Sequence, residues 1–105
     1  MDKRGAYEVA VKYIDSISSK YHVTQAFLFG SYAKGTFHVD SDIDIAVIVD
    51  DVEDIIDAQI EMMKLRRKID LRIEPHPILK NDFDYNDPLS YEVLKHGIII
   101  RNSVA

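Results

Sequence analysis

The sequence predicts an α/β (α+β) fold: one small mixed β-sheet of about four strands, covered by helices, in a single domain of residues 1–105. Three observations carry this. Apolar residues recur every three or four positions near the start and again around residues 52–67, which is the helical period. Residues 42–49, Asp-Ile-Asp-Ile-Ala-Val-Ile-Val, alternate with period two, the signature of a strand. A length of 105 residues suits one hydrophobic core.

The elements follow in order. Residues 3–20 read as a helix whose buried face holds Ala6, Ala10, Ile14, Ile17 and Tyr21. Residues 23–29, Val-Thr-Gln-Ala-Phe-Leu-Phe, read as a buried strand stopped by Gly30, after which Ser31 caps a short helix running to Gly35. Residues 36–41 are a loop. On the strand of residues 42–49, Ile43, Ile45, Val47 and Val49 take one face and Asp42, Asp44, Ala46 and Ile48 the other. Asp50 and Asp51 are expected to cap a helix over residues 52–67, acidic early and basic late as the helix dipole prefers.

A third strand is expected at residues 69–74, with Ile69, Leu71 and Ile73 on one face, Asp70, Arg72 and Glu74 on the other, and Pro75 and Pro77 ending it. Residues 81–87 are polar and read as a loop. A last helix starts near Pro88 and ends at Gly97, and Ile98, Ile99 and Ile100 form a final short strand.

Composition narrows the function. An apolar share of 47% is that of an ordinary globular protein. A net charge of −5 argues against direct nucleic-acid binding, which needs a basic face to neutralise phosphates. There is no cysteine, so disulfides and thiolate chemistry are excluded. The opening Met-Asp-Lys-Arg-Gly leads into an amphipathic pattern, unlike a signal peptide, and apolar stretches such as residues 45–49 are too short to span a bilayer. The expectation is a cytoplasmic protein with no membrane association.

Chemistry concentrates in the carboxylates. Asp42 and Asp44 leave one face of a strand with Cα atoms about 6.6–6.8 Å apart. Asp70 can join them if its strand is a neighbour. Two such charges about 6.5 Å apart repel by about 2.5 kcal/mol at an effective dielectric of 20, a strain that a cation relieves. Oxygen-only ligands on a rigid strand suit Mg²⁺, and two such ions can clamp an in-line phosphoryl displacement. On its own, however, Asp-x-Asp is more often the solvated face of an ordinary strand.

Upstream, Gly30 and Ser31 open a short helix, whose start favours a phosphate; glycine permits close backbone approach, Ser31 adds a hydroxyl, and Lys34 lies one turn on. Gly-Ser followed after ten residues by Asp-x-Asp places an anion cradle beside a metal site.

The stretch LFGSYAKGTFHVDSDIDIAVIV resembles the signature of the nucleotidyltransferase superfamily that includes DNA polymerase beta and the kanamycin nucleotidyltransferases. KIDLRIEP is similar to the segment carrying the last catalytic carboxylate of the polymerase beta branch, and the ending YEVLKHGIIIRN looks most like the minimal nucleotidyltransferase (MNT) group. The resemblance runs from about Phe27 to the C-terminus. It implies a nucleotidyltransferase fold in which Gly30 and Ser31, with Lys34, hold the triphosphate, Asp42 and Asp44 ligate two Mg²⁺ ions with the bound nucleotide, and Asp70 completes the metal site and helps deprotonate the attacking oxygen. Lys34 departs from the arginine frequent in MNT proteins and loses the bidentate fork. The resemblance further implies ATP as donor and a helical HEPN toxin as partner, adenylylated on a tyrosine by its antitoxin.

Other residues have blander readings. Arg72 reads as an ion-pair partner and Glu74 as a rim carboxylate that could be a fourth ligand. His38 lies in the loop beside the site; His22, His76 and His96 read as surface or packing residues. Tyr32 reads as packing. Two alternatives stay open: a binding module that neutralises its partner without catalysis, and adenylylation of a small cationic molecule such as an aminoglycoside, for which no acceptor domain is evident. A homo-oligomer is also left open.

Overall fold

A computed structural model of the chain describes residues 1–102. Helix α1 (Lys3–Ile17) opens on Asp2, whose carboxylate accepts from the Gly5 N–H at 2.8 Å, an N-cap worth roughly 1 kcal/mol. Its buried face is Ala6, Ala10, Tyr13, Ile14 and Ile17. Then follow β1 (His22–Phe29), α2 (Ser31–Lys34), β2 (Ile43–Asp50), α3 (Ile55–Leu65), β3 (Ile73–Leu79), α4 (Pro88–His96) and β4 (Ile98–Asn102). Short 3₁₀ turns follow α3 and β3.

The four strands form one mixed sheet in the order β3-β2-β1-β4. β1 pairs antiparallel with β2 and β4, while β3 runs parallel to β2 after the α3 crossover. The alternation of β2 holds. Ile43, Ile45, Val47 and Val49 join α1, Tyr32, Met62 and Ile73 in the main core. Ala46 and Ile48 join Phe27, Phe29, Ile78 and Val93 of α4 in a second cluster on the opposite face. A bulge between Val23 and Gln25 lets Val23 and Ala26 reach the same core from odd spacing. Tyr13 ties α1 to α3: its hydroxyl donates to the Met62 carbonyl at 2.8 Å in a buried bond, and burial there pushes the phenol well above its usual range.

Several boundaries differ from expectation, among them α1, which ends at Ile17 and not at residue 20. The cap of α3 is Asp54, which accepts from the Ile56 and Asp57 N–H groups; Asp50 ends β2 instead, and Asp51 turns the chain with φ 55°. Ser31 lies within the first turn of α2, and the cap position belongs to Gly30, with no side-chain bond. The third strand begins at Ile73, not at residue 69, and runs through Pro75 and Pro77. Those prolines fit because β3 is an edge strand. Ile43 N–H donates to the Arg72 carbonyl, so even-numbered residues of β3 bond to β2 and the proline nitrogens face away from the sheet.

Candidate active site

The site is built at the N-terminal end of β2, where its second face is no longer fully buried. Along its second face, Ala46 and Ile48 are fully buried, whereas the Asp44 side chain keeps 26% of its exposure and Asp42, one residue before the strand, is exposed. A carboxylate placed two residues deeper would be desolvated without a charge partner. Asp44 has Phe29 of β1 as its ladder partner on one side and Glu74 of β3 on the other.

The chain leaves Phe29 through Gly30, at φ 72° and ψ −147°, a backbone conformation essentially confined to glycine. A Cβ there would lie 2.3 Å from Asp44 Oδ2. The Gly-Ser turn and the second aspartate are therefore in direct contact, as their sequence spacing suggested. Gly35 closes α2 in the left-handed conformation. The loop to Asp42 is pinned by Ser41, buried, whose hydroxyl accepts from the His38 N–H at 2.8 Å.

Asp70 lies in the turn before β3, outside the strand face on which it was expected. Both its oxygens are taken by Arg72: Nε to Oδ1 at 3.0 Å and Nη2 to Oδ2 at 2.7 Å, with the Arg72 N–H adding a third bond at 2.9 Å. These bonds hold its carboxyl below the usual range against a smaller opposing effect of burial. The strand carboxylate in register with Asp44 is Glu74. Its Oε1 lies 4.0 Å from Nη1 of Arg66, which itself donates to the Ile73 carbonyl on the open edge of β3.

Lys34 sits on the last turn of α2 and pairs with Glu92 of α4, whose carboxyl it lowers, tying the turn to the helix over the second face. Tyr32 is fully buried and stacks on Phe37 with ring centroids 4.7 Å apart, the packing role read from sequence. His76 was read as a surface or packing residue; it faces the site instead, with Nε2 3.1 Å from Asp44 Oδ1. Glu74 and His76 were undervalued for one reason. Pro75 and Pro77 look like terminators in sequence, and only the sheet order reveals that an edge strand carries them. The signal available was the alternation of Ile73, Pro75 and Pro77 with Glu74 and His76.

Among the described residues, the tightest gathering of cation-ligating groups lies elsewhere. His22, Asp50 and Asp51 bring ligand atoms within 4.8 Å of one another at the far end of β2, about 20 Å from Asp44 by strand rise. They border a concavity of about 700 Å³. These groups are largely solvated, and no glycine turn approaches them.

Asp42, Asp44 and Glu74 supply oxygen donors only, which fits a hard divalent cation, and the missing Cβ of Gly30 is what lets the Asp44 carboxylate lie against the turn. Such a site can hold a metal-bound polyphosphate. No helix of the described residues is long and apolar enough to cross a membrane.

The chain also resembles known proteins in sequence and in fold. The family described as "Polymerase beta, Nucleotidyltransferase" matches residues 12–103. A solved toxin-antitoxin structure with AMP-PNP is 28% identical, with a TM-score of 0.64, covering 91% of this chain and 73% of that one. A mutant of the toxin-antitoxin pair MntA-HpeT is 29% identical at TM-score 0.59, covering 88% and 68%. A tri-AMPylated Shewanella oneidensis HEPN toxin in complex with MNT antitoxin matches in fold, with 24% identity and TM-score 0.59, covering 95% and 72%. No curated protein sequence matches significantly.

Proposed function

The chain belongs to the polymerase beta nucleotidyltransferase family, and from that premise we propose that it transfers AMP from ATP to a tyrosine of a helical HEPN-type partner, acting as its antitoxin. Nucleotidyl transfer is the chemistry of the family. The finer reading draws on the toxin-antitoxin structures with AMP-PNP and with an AMPylated toxin. The observation that carries it is the contact between Gly30 and Asp44 with Glu74 in register beside them.

In this reading Gly30 and Ser31 cradle the triphosphate and Lys34 turns from Glu92 toward it. Asp42, Asp44 and Glu74 would hold Mg²⁺. Asp70, the third ligand expected from sequence, instead orders Arg72 at the rim. Bound there, two Mg²⁺ ions would neutralise the triphosphate and acidify the attacking hydroxyl. The acceptor oxygen bonds to the α-phosphorus, the bridge to the β-phosphate breaks, pyrophosphate departs, and the hydroxyl proton passes to a site carboxylate. The protein's share is alignment and charge placement.

The test is the mass of the co-encoded partner after incubation with the chain, ATP and Mg²⁺. AMP addition that disappears with Asp42→Asn plus Asp44→Asn supports the proposal. An unmodified partner, neutralised equally by wild type and double mutant, would establish a binding antitoxin instead.

A further inference from the structure

His76 reaches the site from the strand position next to Glu74 on the same face, opposite Ala46 in the ladder. Two contacts fix its ring. Nε2 lies 3.1 Å from Asp44 Oδ1, and the ring meets Phe29 edge-on, with centroids 5.0 Å apart and planes at 69°. Phe29 is itself the ladder partner of Asp44, so imidazole, carboxylate and phenyl ring form one packed group.

The two oxygens of Asp44 thus face different neighbours. Oδ1 accepts from His76, and Oδ2 is the atom nearest the Gly30 turn. A carboxylate left to itself turns broadly about its last torsion. A donor on one oxygen removes that freedom and directs the other. Imidazole–carboxylate pairs serve this orienting purpose around metal sites, and losing the outer partner typically weakens metal affinity or activity about 10–100-fold.

We propose that His76 is a positioning residue: its Nε2–H holds Asp44 Oδ1 so that Oδ2 stays presented to the Gly30–Ser31 turn. It touches neither substrate nor reacting atoms. The proposal rests on the reading of Asp44 as a metal ligand for nucleotidyl transfer.

The experiment compares His76→Leu, which keeps apolar bulk against Phe29 without a donor, with His76→Gln, whose amide can still donate. Mn²⁺ binding in the presence of a non-hydrolysable ATP analogue is followed by the electron paramagnetic resonance of free Mn²⁺. Asp44→Asn serves as the site control and circular dichroism reports folding. His76→Leu should weaken Mn²⁺ binding at least about tenfold while remaining folded, and His76→Gln should recover most of it. In turnover, His76→Leu should raise the Mg²⁺ concentration needed for half-maximal rate more than it lowers kcat at saturating metal. Wild-type binding that depends on Asp44 but stays within twofold in His76→Leu overturns the role of His76 and leaves the site reading intact. Equal losses in Leu and Gln variants overturn it too, since a lost donor cannot explain them. Absence of Asp44-dependent binding in the wild type overturns the site reading, and this proposal with it.

Discussion

Gly30→Ala is the sharpest probe of how the site is assembled. Two separate penalties follow from the structure. The backbone at φ 72°, ψ −147° is strained for any L-residue, by about 1–3 kcal/mol. The new Cβ would also stand 2.3 Å from Asp44 Oδ2, 3.1 Å from its carboxyl carbon and 3.3 Å from its Cβ. A rotation of the Asp44 side chain can relieve that clash only by giving up the bond from His76, a net loss of about 0.5–1.5 kcal/mol. The sum is about 1.5–4.5 kcal/mol, and for a domain of this length roughly 7–20 °C in Tm.

Gly35→Ala provides the control. Gly35 also has positive φ, 78°, but a Cβ there meets nothing within 4 Å, so it carries only the left-handed penalty of about 1–2 kcal/mol. Urea denaturation of both variants and of Gly30→Ala in an Asp44→Ala background measures the difference. With the carboxylate gone, Gly30→Ala should cost only its backbone strain, so the two changes must be non-additive. Equal destabilisation by Gly30→Ala in the presence and absence of Asp44 would refute the contact between turn and carboxylate.

The remaining predictions concern the carboxylates and the core. Glu74→Gln should lower kcat at least about 100-fold, on the scale of removing a group that meets developing charge, while Asp70→Asn should lower it less than about tenfold; the reverse order in a partner-modification assay would return the third ligand position to Asp70. The Asp70 carboxyl is held below its ordinary value by Arg72, so the stability it contributes is complete above about pH 4 and is lost as pH falls through the lower folded value. Urea midpoints measured from pH 6 to pH 2 should therefore fall less steeply in Asp70→Asn, and an unchanged acid limb would contradict this. Tyr13→Phe removes a buried bond to the Met62 carbonyl, which keeps the Arg66 N–H as donor, and should cost about 0.5–1.5 kcal/mol, read by denaturation. In Gly97→Ala the new Cβ would lie 2.4 Å from the Val93 carbonyl oxygen, a backbone atom that cannot swing away; a loss of about 1–3 kcal/mol is expected, and a neutral result would show that the end of α4 is loose.

The elements with one uninterrupted periodicity were legible in sequence. The two faces of β2 and most of the apolar stripe of α1 follow from spacing, because burial enforces the pattern, and the limits of α4 follow from the helix-start preference of proline at Pro88 and the helix-end preference of glycine at Gly97. The expected stripe of α1 included Tyr21 and not Tyr13; the helix ends at Ile17, so Tyr21 lies beyond it, partly exposed, and Tyr13 takes the buried place with its hydroxyl satisfied by the Met62 carbonyl. The cap of α3 was misassigned because residues 50, 51, 53 and 54 are all acidic, and only the end of pairing at Asp50 selects Asp54. The contact of Gly30 with Asp44 was implied by the Gly-Ser spacing, but not its closeness, which depends on the pairing of Phe29 with Asp44.

The third strand shows what a one-dimensional pattern leaves open. Residues 70, 72, 74, 76 and 78 share one parity, so alternation alone cannot say which of them stand level with Asp44. Sequence reading chose the start of the run, since proline was taken to end a strand. In a parallel pair the choice belongs instead to the crossover: α3, its 3₁₀ extension and a turn occupy the chain up to Arg72, and the first ladder bond runs from Ile43 to that residue. Once Ile43 stands opposite Ile73, the rest is fixed. Glu74 falls beside Asp44, His76 beside Ala46, and Pro75 and Pro77 present their missing donors to the open edge, where no ladder bond is lost. A slip of two residues would keep every side chain on its face, but it would set Arg72 against Asp44 and shift the proline-bearing segment along the sheet. Both registers leave the proline nitrogens on the open edge, so it is the crossover that selects the one placing Glu74 beside Asp44 and His76 beside Ala46, with Asp70 displaced into a turn where Arg72 neutralises it.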